Sequence, residues 1–456
     1  MNNLLPHKRN WKLALCTGLV VLSLVAASCT KTATTTTTAG STLQATTTNA
    51  PTGATRPVTP TTTTSSATTP ATTAVLTIIN GATTQTYTLA QLKALPSTTG
   101  FGATKNKAGT ITGPNSYTGV ALTALLKATG GITNGSAVKI TAQDGYTKTL
   151  SYAQVYQGTF NVYDKTGNPA TAGTQPVISL VYAIDGKDLD AATGPVETGI
   201  MTASDQATDA STWIKLTNKI EILKPVTLNV AGAASLSNVL KAVDTLYSQT
   251  YPNVTISANF ASSGALQTQI ENGGPVDVFI SAAAAQMDNL QKEKLLIDSS
   301  RKNLLNNNLV LIVPNNSTLG LNLFVDLTST KVTKIAIGDP KSVPAGMYAQ
   351  KAFDELGITA QLQSKFVMGA DVTTVLTYVS TGNVDAGLVY STDALTSNQV
   401  KVAAQAPANI NSLIVYPAAV IQASKNPDAA QAYINFLFSA PAKALFQQYG
   451  FSMAVN

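Results

Sequence analysis

Five junctions in the second half of the chain combine hydroxyls, a phenol and free backbone N–H groups, the donors needed to hold an anion without a cation. Ser235 opens a helical pattern after a tight turn, and Ala261-Ser262-Ser263-Gly264 opens another. Gly338-Asp339-Pro340 leads through Val343-Pro344-Ala345-Gly346 into a third, and Gly369-Ala370-Asp371-Val372 begins a fourth. Leu388-Val389-Tyr390-Ser391 ends a strand with a phenol. A helix N-terminus carries N–H groups with no acceptor inside the helix, and its dipole favours negative charge. Each junction is expected at the carboxyl end of a strand, where open α/β sheets bind ligands. A single capping serine is usually structural; the argument lies in the series.

The elements that must position these groups read from periodicity. Val226, Leu228 and Val230 form an apolar run bounded by small residues, followed by Leu236, Val239, Leu240 and Val243 at helical spacing. Strand-like runs at Val254–Ile256, Val276–Ser281, Leu309–Val313, Lys334–Ile337, Ala386–Tyr390 and Leu413–Tyr416 alternate with helical patterns. The helical segments include Ser263–Asn272, Ala345–Leu356, Val372–Thr381 and Ala429–Phe438. Such alternation predicts an α/β domain with a parallel-rich sheet over residues 225–456, starting at Pro225. Two lobes closing over a cleft are expected, with crossings near Asn306–Leu309 and Val400–Ala404. The first lobe would carry Ser235 and Ser263, the second Ala345, Val372 and Tyr390.

Composition narrows the chemistry. Of the 456 residues 44% are hydrophobic and only 11% charged, enough apolar content for two or three packed domains. The formal charge is +6, from 29 basic and 23 acidic residues. No basic cluster interleaves with aromatics, so nucleic acid is not an expected partner. Cys16 and Cys29 are the two cysteines and His7 the one histidine. Cleavage at Cys29 would leave no imidazole base, no thiol nucleophile beyond Cys29 and no His or Cys ligand set, so the chain is not expected to be an enzyme. Asp277, Asp339 and Asp371 are expected to cap helices or brace turns, because carboxylates lining an anion site would repel the ligand, and Asp393 is expected to be structural.

The first 29 residues read as a secretory signal. Lys8, Arg9 and Lys12 precede the apolar run Leu13 to Val25, and Ala26-Ala27-Ser28-Cys29 follows. This resembles a bacterial lipoprotein signal, with Ala26 where Leu, Val or Ile is more usual. It implies lipidation of Cys29 and a membrane-anchored protein on the outer, extracytoplasmic face. Residues 30–74 are a Thr/Ala/Ser/Pro tract without the apolar content to fold, expected to be a disordered tether.

Residues 75–224 predict an α+β domain with a mixed sheet. Expected elements are a strand at Leu76-Thr77-Ile78-Ile79 and a short helix capped by Thr88 and stopped by Pro96. A helix from Val120 to Thr129, a hairpin about Asp144-Gly145, and strands at Ile178–Ile184 and Trp213–Leu223 follow. Tyr87-Thr88-Leu89-Ala90-Gln91-Leu92, Tyr117-Thr118-Gly119-Val120-Ala121-Leu122, Thr141-Ala142-Gln143-Asp144-Gly145-Tyr146 and Trp213-Ile214-Lys215 resemble the molybdopterin-binding domain of sulfite-oxidase-type oxidoreductases. That family holds its metal through a cysteine. This segment has no Cys, His or Arg, so the resemblance implies the fold without the catalysis.

Val226 to Asn456, closing on Tyr449-Gly450-Phe451, resembles the molybdate-binding proteins of ATP-driven importers, which have the two-lobed type 2 periplasmic-binding-protein fold. The resemblance implies that Ser235 and Ser263 give hydroxyl and backbone donors, Ala345 and Val372 give backbone N–H groups, and Tyr390 gives its phenolic O–H. Molybdenum would be held as the oxyanion, not as a bare cation, and no cofactor is implied. Molybdate and tungstate are expected to bind. Smaller sulfate is expected to bind poorly, and hydrogen phosphate would set a proton against donors. The implied partners are ABC permease subunits in the membrane, with the protein a monomer. Two other classes stay open: a molybdopterin-type oxidoreductase and an oxyanion-sensing envelope protein.

Overall fold

A computed structural model describes residues 73–190 and 194–454. The signal, Cys29 and the tether up to residue 72 lie outside the described residues. Leu76–Asn80 starts a five-stranded sheet, flanked by Thr83–Tyr87 on one side and Thr217–Leu223, Ala137–Ala142 and Thr147–Ser151 on the other. A seven-stranded sheet is built around Val177–Ile184, Ile111–Ala121 and Thr98–Lys105. Leu76, Ile78, Val120, Leu125, Leu180 and Ile220 are buried in one apolar cluster of these segments. Thr88 caps the helix Leu89–Lys93 with a reciprocal bond pair to Gln91, which satisfies two donors a short helix would otherwise leave open.

From Val226 onward the chain builds two further sheets. The first runs Val254–Ala261, Val226–Ala233, Val278–Ile280, Val415–Val420, Lys302–Asn306, Ser452–Met453. The second runs Phe366–Gly369, Ile335–Gly338, Ala386–Tyr390, Leu309–Pro314, Val400–Gln405. Each has three parallel strands from βα units and two or three antiparallel ones, so the sheets are mixed rather than parallel-rich. Helix Ser237–Thr250 buries Val239, Leu240, Val243 and Tyr247 on one stripe. Tyr247 meets Tyr433 and Phe436 edge-on with centroids 5.1 and 5.0 Å apart. The Tyr433 hydroxyl donates to Asp244 at 2.6 Å.

Several sequence expectations are corrected. Val120 belongs to the strand Ile111–Ala121, opposite Leu180, and the helix begins at Leu122; a β-branched residue inside a ladder overrides the helical spacing. The last strand before Pro225 starts at Thr217 rather than Trp213, because Leu216 at φ +54° breaks the extended run. Ser235 lies in a 3-10 turn, Ala234–Leu236, one turn ahead of the helix Ser237–Thr250. The first crossing between the two sheets is at Asn307 and Asn308, as expected. The second is not at Val400–Ala404, which pairs with Leu309–Pro314; the chain returns between Gln405 and Val415. The hairpin Thr98–Lys105 and Ile111–Ala121 has no sequence forerunner, because its Thr, Gly and Asn residues carry no apolar alternation.

Asp277 ties three segments of the first sheet. Its carboxylate accepts from the Asn229 N–H at 2.8 Å and the Ser424 hydroxyl at 2.6 Å, and its own backbone pairs with Asn229 and Ile421. The Asp277 side chain is buried, and losing it leaves the part-buried Asn229 N–H unpaired. Asp277→Ala is expected to cost about 1–3 kcal/mol. Denaturant unfolding measures it, and an unchanged midpoint would refute the bracing role.

Candidate functional site

Ser235, Ser263, Ala345, Val372 and Tyr390 all line one small cavity between the two lobes, together with Ala233, Ala234, Ala282, Val343 and Pro344. The cavity they bound is small, about 10 Å³, on the scale of a single small ligand. Three helix N-termini converge on it: Ser263–Glu271, Pro344–Glu355 and Val372–Ser380. Ser263, Ala345 and Val372 stand in their first turns, where an N–H has no acceptor four residues back. Ser263 is 1% exposed, Ala345 0%, Val372 3% and Tyr390 1%. Water therefore competes poorly for these donors once the cleft is closed.

The hydroxyls are already oriented. The Ala282 N–H donates to Ser263 Oγ at 2.9 Å, which occupies a lone pair and leaves the serine proton available. Ser235 Oγ lies 3.0 Å from the Tyr416 hydroxyl. The Tyr390 hydroxyl donates to the Ala282 carbonyl at 3.3 Å, a long bond that a stronger acceptor would replace. Burial holds the phenols of Tyr390 and Tyr416 well above the ordinary value. Both stay protonated at neutral pH and can act as donors. Among the described residues no group of three or more His, Cys, Asp or Glu side chains is placed to hold a metal ion.

The lobes meet directly across the cleft. Gly264 of the first lobe donates its N–H to the Ser342 carbonyl of the second at 2.9 Å. A Cβ on Gly264 would sit 2.6 Å from that oxygen, so only glycine permits the approach. Gly346 has the same role within the second lobe, where a Cβ would fall 1.9 Å from the Gly338 carbonyl oxygen. This contact seats the helix Pro344–Glu355 on the end of the strand Ile335–Gly338 and so aims the Ala345 N–H.

The nearby carboxylates are engaged by donors of their own. Asp371 caps its helix, accepting from the N–H and hydroxyl of Thr374 at 2.7 and 2.9 Å, although it also borders the cavity. Asp339 accepts from the Lys341 N–H at 3.0 Å. Asp393 is 6% exposed and accepts from the Tyr390 N–H at 3.0 Å. Burial raises Asp393 from 3.8 to about 7, the Tyr390 N–H opposes this, and the charge of Asp371 adds to it.

Two residues at the site escaped the sequence reading, Tyr416 and Asn307. Asn307 Nδ2 donates to the Tyr416 hydroxyl at 3.2 Å and to Thr392 Oγ1 at 2.9 Å. In the sequence Tyr416 reads only as a strand residue and Asn307 only as part of a lobe crossing. Their pairing spans 109 positions, and no local pattern signals it.

Two outcomes follow from this geometry. Gly264→Ala is expected to hold the lobes apart, seen as a larger radius in small-angle scattering; an unchanged radius would refute the latch. The Asp393 carboxyl binds its proton more tightly in the folded than the unfolded chain. Its contribution to stability is therefore complete below about pH 4 and is lost as pH rises through about pH 7. Asp244, raised to about 6 by burial, acts in the same direction. The difference between wild type and Asp393→Asn in melting temperature against pH isolates the first group, and parallel curves would refute the assignment.

Comparison with known proteins follows the same division of the chain. Residues 228–452 match the family described as bacterial extracellular solute-binding proteins. A Bacillus subtilis protein named "Putative ABC transporter substrate-binding lipoprotein YvgL" is 38% identical over 229 residues, covering 50% of this chain and 87% of that protein. The molybdate-binding protein ModA of Haemophilus influenzae is 34% identical over 231 residues, covering 49% of this chain and 89% of its own. A solved structure described as the "substrate binding domain of putative molybdenum ABC transporter from Clostridium difficile" is 40% identical, with a TM-score of 0.42, over 50% of this chain and 100% of that one. The Bacillus subtilis and Haemophilus influenzae relatives are named for binding and transport rather than catalysis. Through residues 228–452, this chain belongs to the bacterial extracellular solute-binding proteins.

Proposed function

We propose that residues 225–456 form a type 2 periplasmic-binding-protein domain that captures molybdate or tungstate and delivers it to the permease of an ABC importer. The observation that carries this reading is the convergence of Ser235, Ser263, Ala345, Val372 and Tyr390, from both lobes, on one small cavity of neutral donors. The names of the relatives in Haemophilus influenzae and Escherichia coli, both molybdate-binding proteins, support the choice of anion. A tetrahedral dianion here would have its charge offset by peptide dipoles, each helix terminus contributing about 0.3–1 kcal/mol. A protonated oxyanion would leave a donor facing a donor, at about 1–3 kcal/mol for each buried group left unsatisfied.

The remaining assignments complete the proposal. Residues 1–29 are a lipoprotein signal ending at a lipidated Cys29, and residues 30–74 tether the folded part to the outer face of the cell membrane. The Bacillus subtilis relative's name, which includes the word lipoprotein, supports the anchor. Residues 75–224 are a sulfite-oxidase-like module without catalysis, supported by the lack of Cys, His and Arg in that segment. The protein works as a monomer.

Calorimetry with molybdate, tungstate, sulfate and phosphate tests the ligand. Molybdate and tungstate are expected to bind, and Ser263→Ala with Tyr390→Phe to weaken them about 100-fold or more, equivalent to about 2.7 kcal/mol. Binding of sulfate or phosphate alone would overturn the molybdate assignment. Cys29→Ala is expected to move the protein from the membrane fraction to the medium, and retention in the membrane would refute the lipid anchor.

A further inference from the structure

We infer that Tyr416 and Asn307 are positioning residues that fix Ser235 as a hydrogen-bond donor and thereby set the site against protonated oxyanions. The inference rests on the oxyanion reading above and adds two residues to it, neither of which touches the ligand.

The Asn307 end of the chain of hydrogen bonds is fixed by which atoms can donate. The Asn308 N–H donates to Asn307 Oδ1 at 2.8 Å, and the Ser391 hydroxyl donates to the same oxygen at 3.1 Å. A backbone N–H can only donate, so the amide oxygen must face it, and the amide nitrogen faces the other way. There Nδ2 reaches the Tyr416 oxygen at 3.2 Å. An amide nitrogen cannot accept, so the phenol oxygen is the acceptor and its single proton is free for Ser235 Oγ at 3.0 Å. Either hydroxyl can donate at that distance; the relay takes Tyr416 as the donor, which leaves the Ser235 proton for the cavity. Asn307 is 4% exposed and Tyr416 0%, while Ser235, at the cavity end of the chain, is half-buried. Hydrogen bonds in series also polarise one another, which strengthens the last donor.

Asn307 stands at the crossing between the lobes. It is bonded to Ser391 and Thr392 of the second lobe and to Tyr416 of the first. The same amide that joins the lobes therefore also sets the polarity of Ser235. A bare tetrahedral dianion meets a donor at this position. Hydrogen phosphate, which must place one proton somewhere, finds one of the two lone pairs of the Ser235 oxygen taken by the Tyr416 proton.

A double-mutant cycle on the full chain reads this relay, using calorimetry with molybdate and with phosphate at neutral pH. Tyr416→Phe removes the proton that occupies Ser235. It is expected to weaken molybdate about tenfold and to narrow the preference for molybdate over phosphate by about tenfold, as loss of one buried hydrogen bond implies. Asn307→Asp keeps the shape but supplies an acceptor, which draws the Tyr416 proton away and turns Ser235 round. It is expected to weaken molybdate about 100-fold in the wild-type background and less than about threefold when Phe replaces Tyr416. A merely structural role would leave the molybdate-to-phosphate ratio unchanged and would make the two substitutions additive, and either result overturns the relay. Ligand-free melting of each variant checks folding. Should Asn307→Asp not fold, the ratio measured with Tyr416→Phe decides alone. Failure of the wild-type chain to bind any oxyanion would overturn the function proposed above, and the relay with it.

Discussion

A dianion held without a cation must have its charge offset by N–H and O–H groups, and no one helix terminus provides enough of them. Here the donors are divided between two lobes, so the site exists only when the lobes meet. They meet at the bond from the Gly264 N–H to the Ser342 carbonyl and at that from the Tyr390 hydroxyl to the Ala282 carbonyl. Much of the second half of the chain can be understood from that requirement. Strands end at the cleft, helices begin there, and glycines stand where backbone must approach backbone.

The treatment of negative charge is consistent with this. Four aspartates lie in the segments that build the cleft or its supporting sheet, and each is turned to a backbone or hydroxyl donor. Asp277 holds strands together, Asp339 and Asp371 close turns, and Asp393 takes the Tyr390 N–H. Asp393 is the costly one, since burial opposes its charged form. It sits three residues beyond the phenol that lines the cavity and accepts the backbone N–H of that residue, which holds the end of the strand Ala386–Tyr390 to the short helix that follows.

How far the sequence foretells this depends on how local each signal is. The strand Val226–Ala233, the helix Ser263–Glu271 and the cap at Thr88 are written in adjacent residues and were readable. So were the five junctions that line the cavity, each at a strand end with small or hydroxyl residues around it, whereas Ala345 and Val372 are singled out only by the family resemblance. The hairpin Thr98–Ala121 was not, since its Thr and Gly residues are compatible with many states and only pairing across the sheet selects one. The second crossing was misplaced because the run Val400–Gln405 reads as a strand in either lobe, and only its register with Leu309–Pro314 decides. Tyr416 and Asn307 were invisible for the same reason: their roles arise from partners far away in the chain.

Part of the cavity is lined by backbone rather than by side chains. Ala345 and Val372 offer a peptide N–H, which every residue but proline keeps. Systematic truncation of side chains would therefore pass over these two positions and report them as packing, although they stand beside the hydroxyls. The chemistry at these two points is encoded by where helices start, in Gly346 and in the Asp371 cap, and not by the residues that face the ligand. A substitution at either position that keeps the helix start keeps the peptide donor as well.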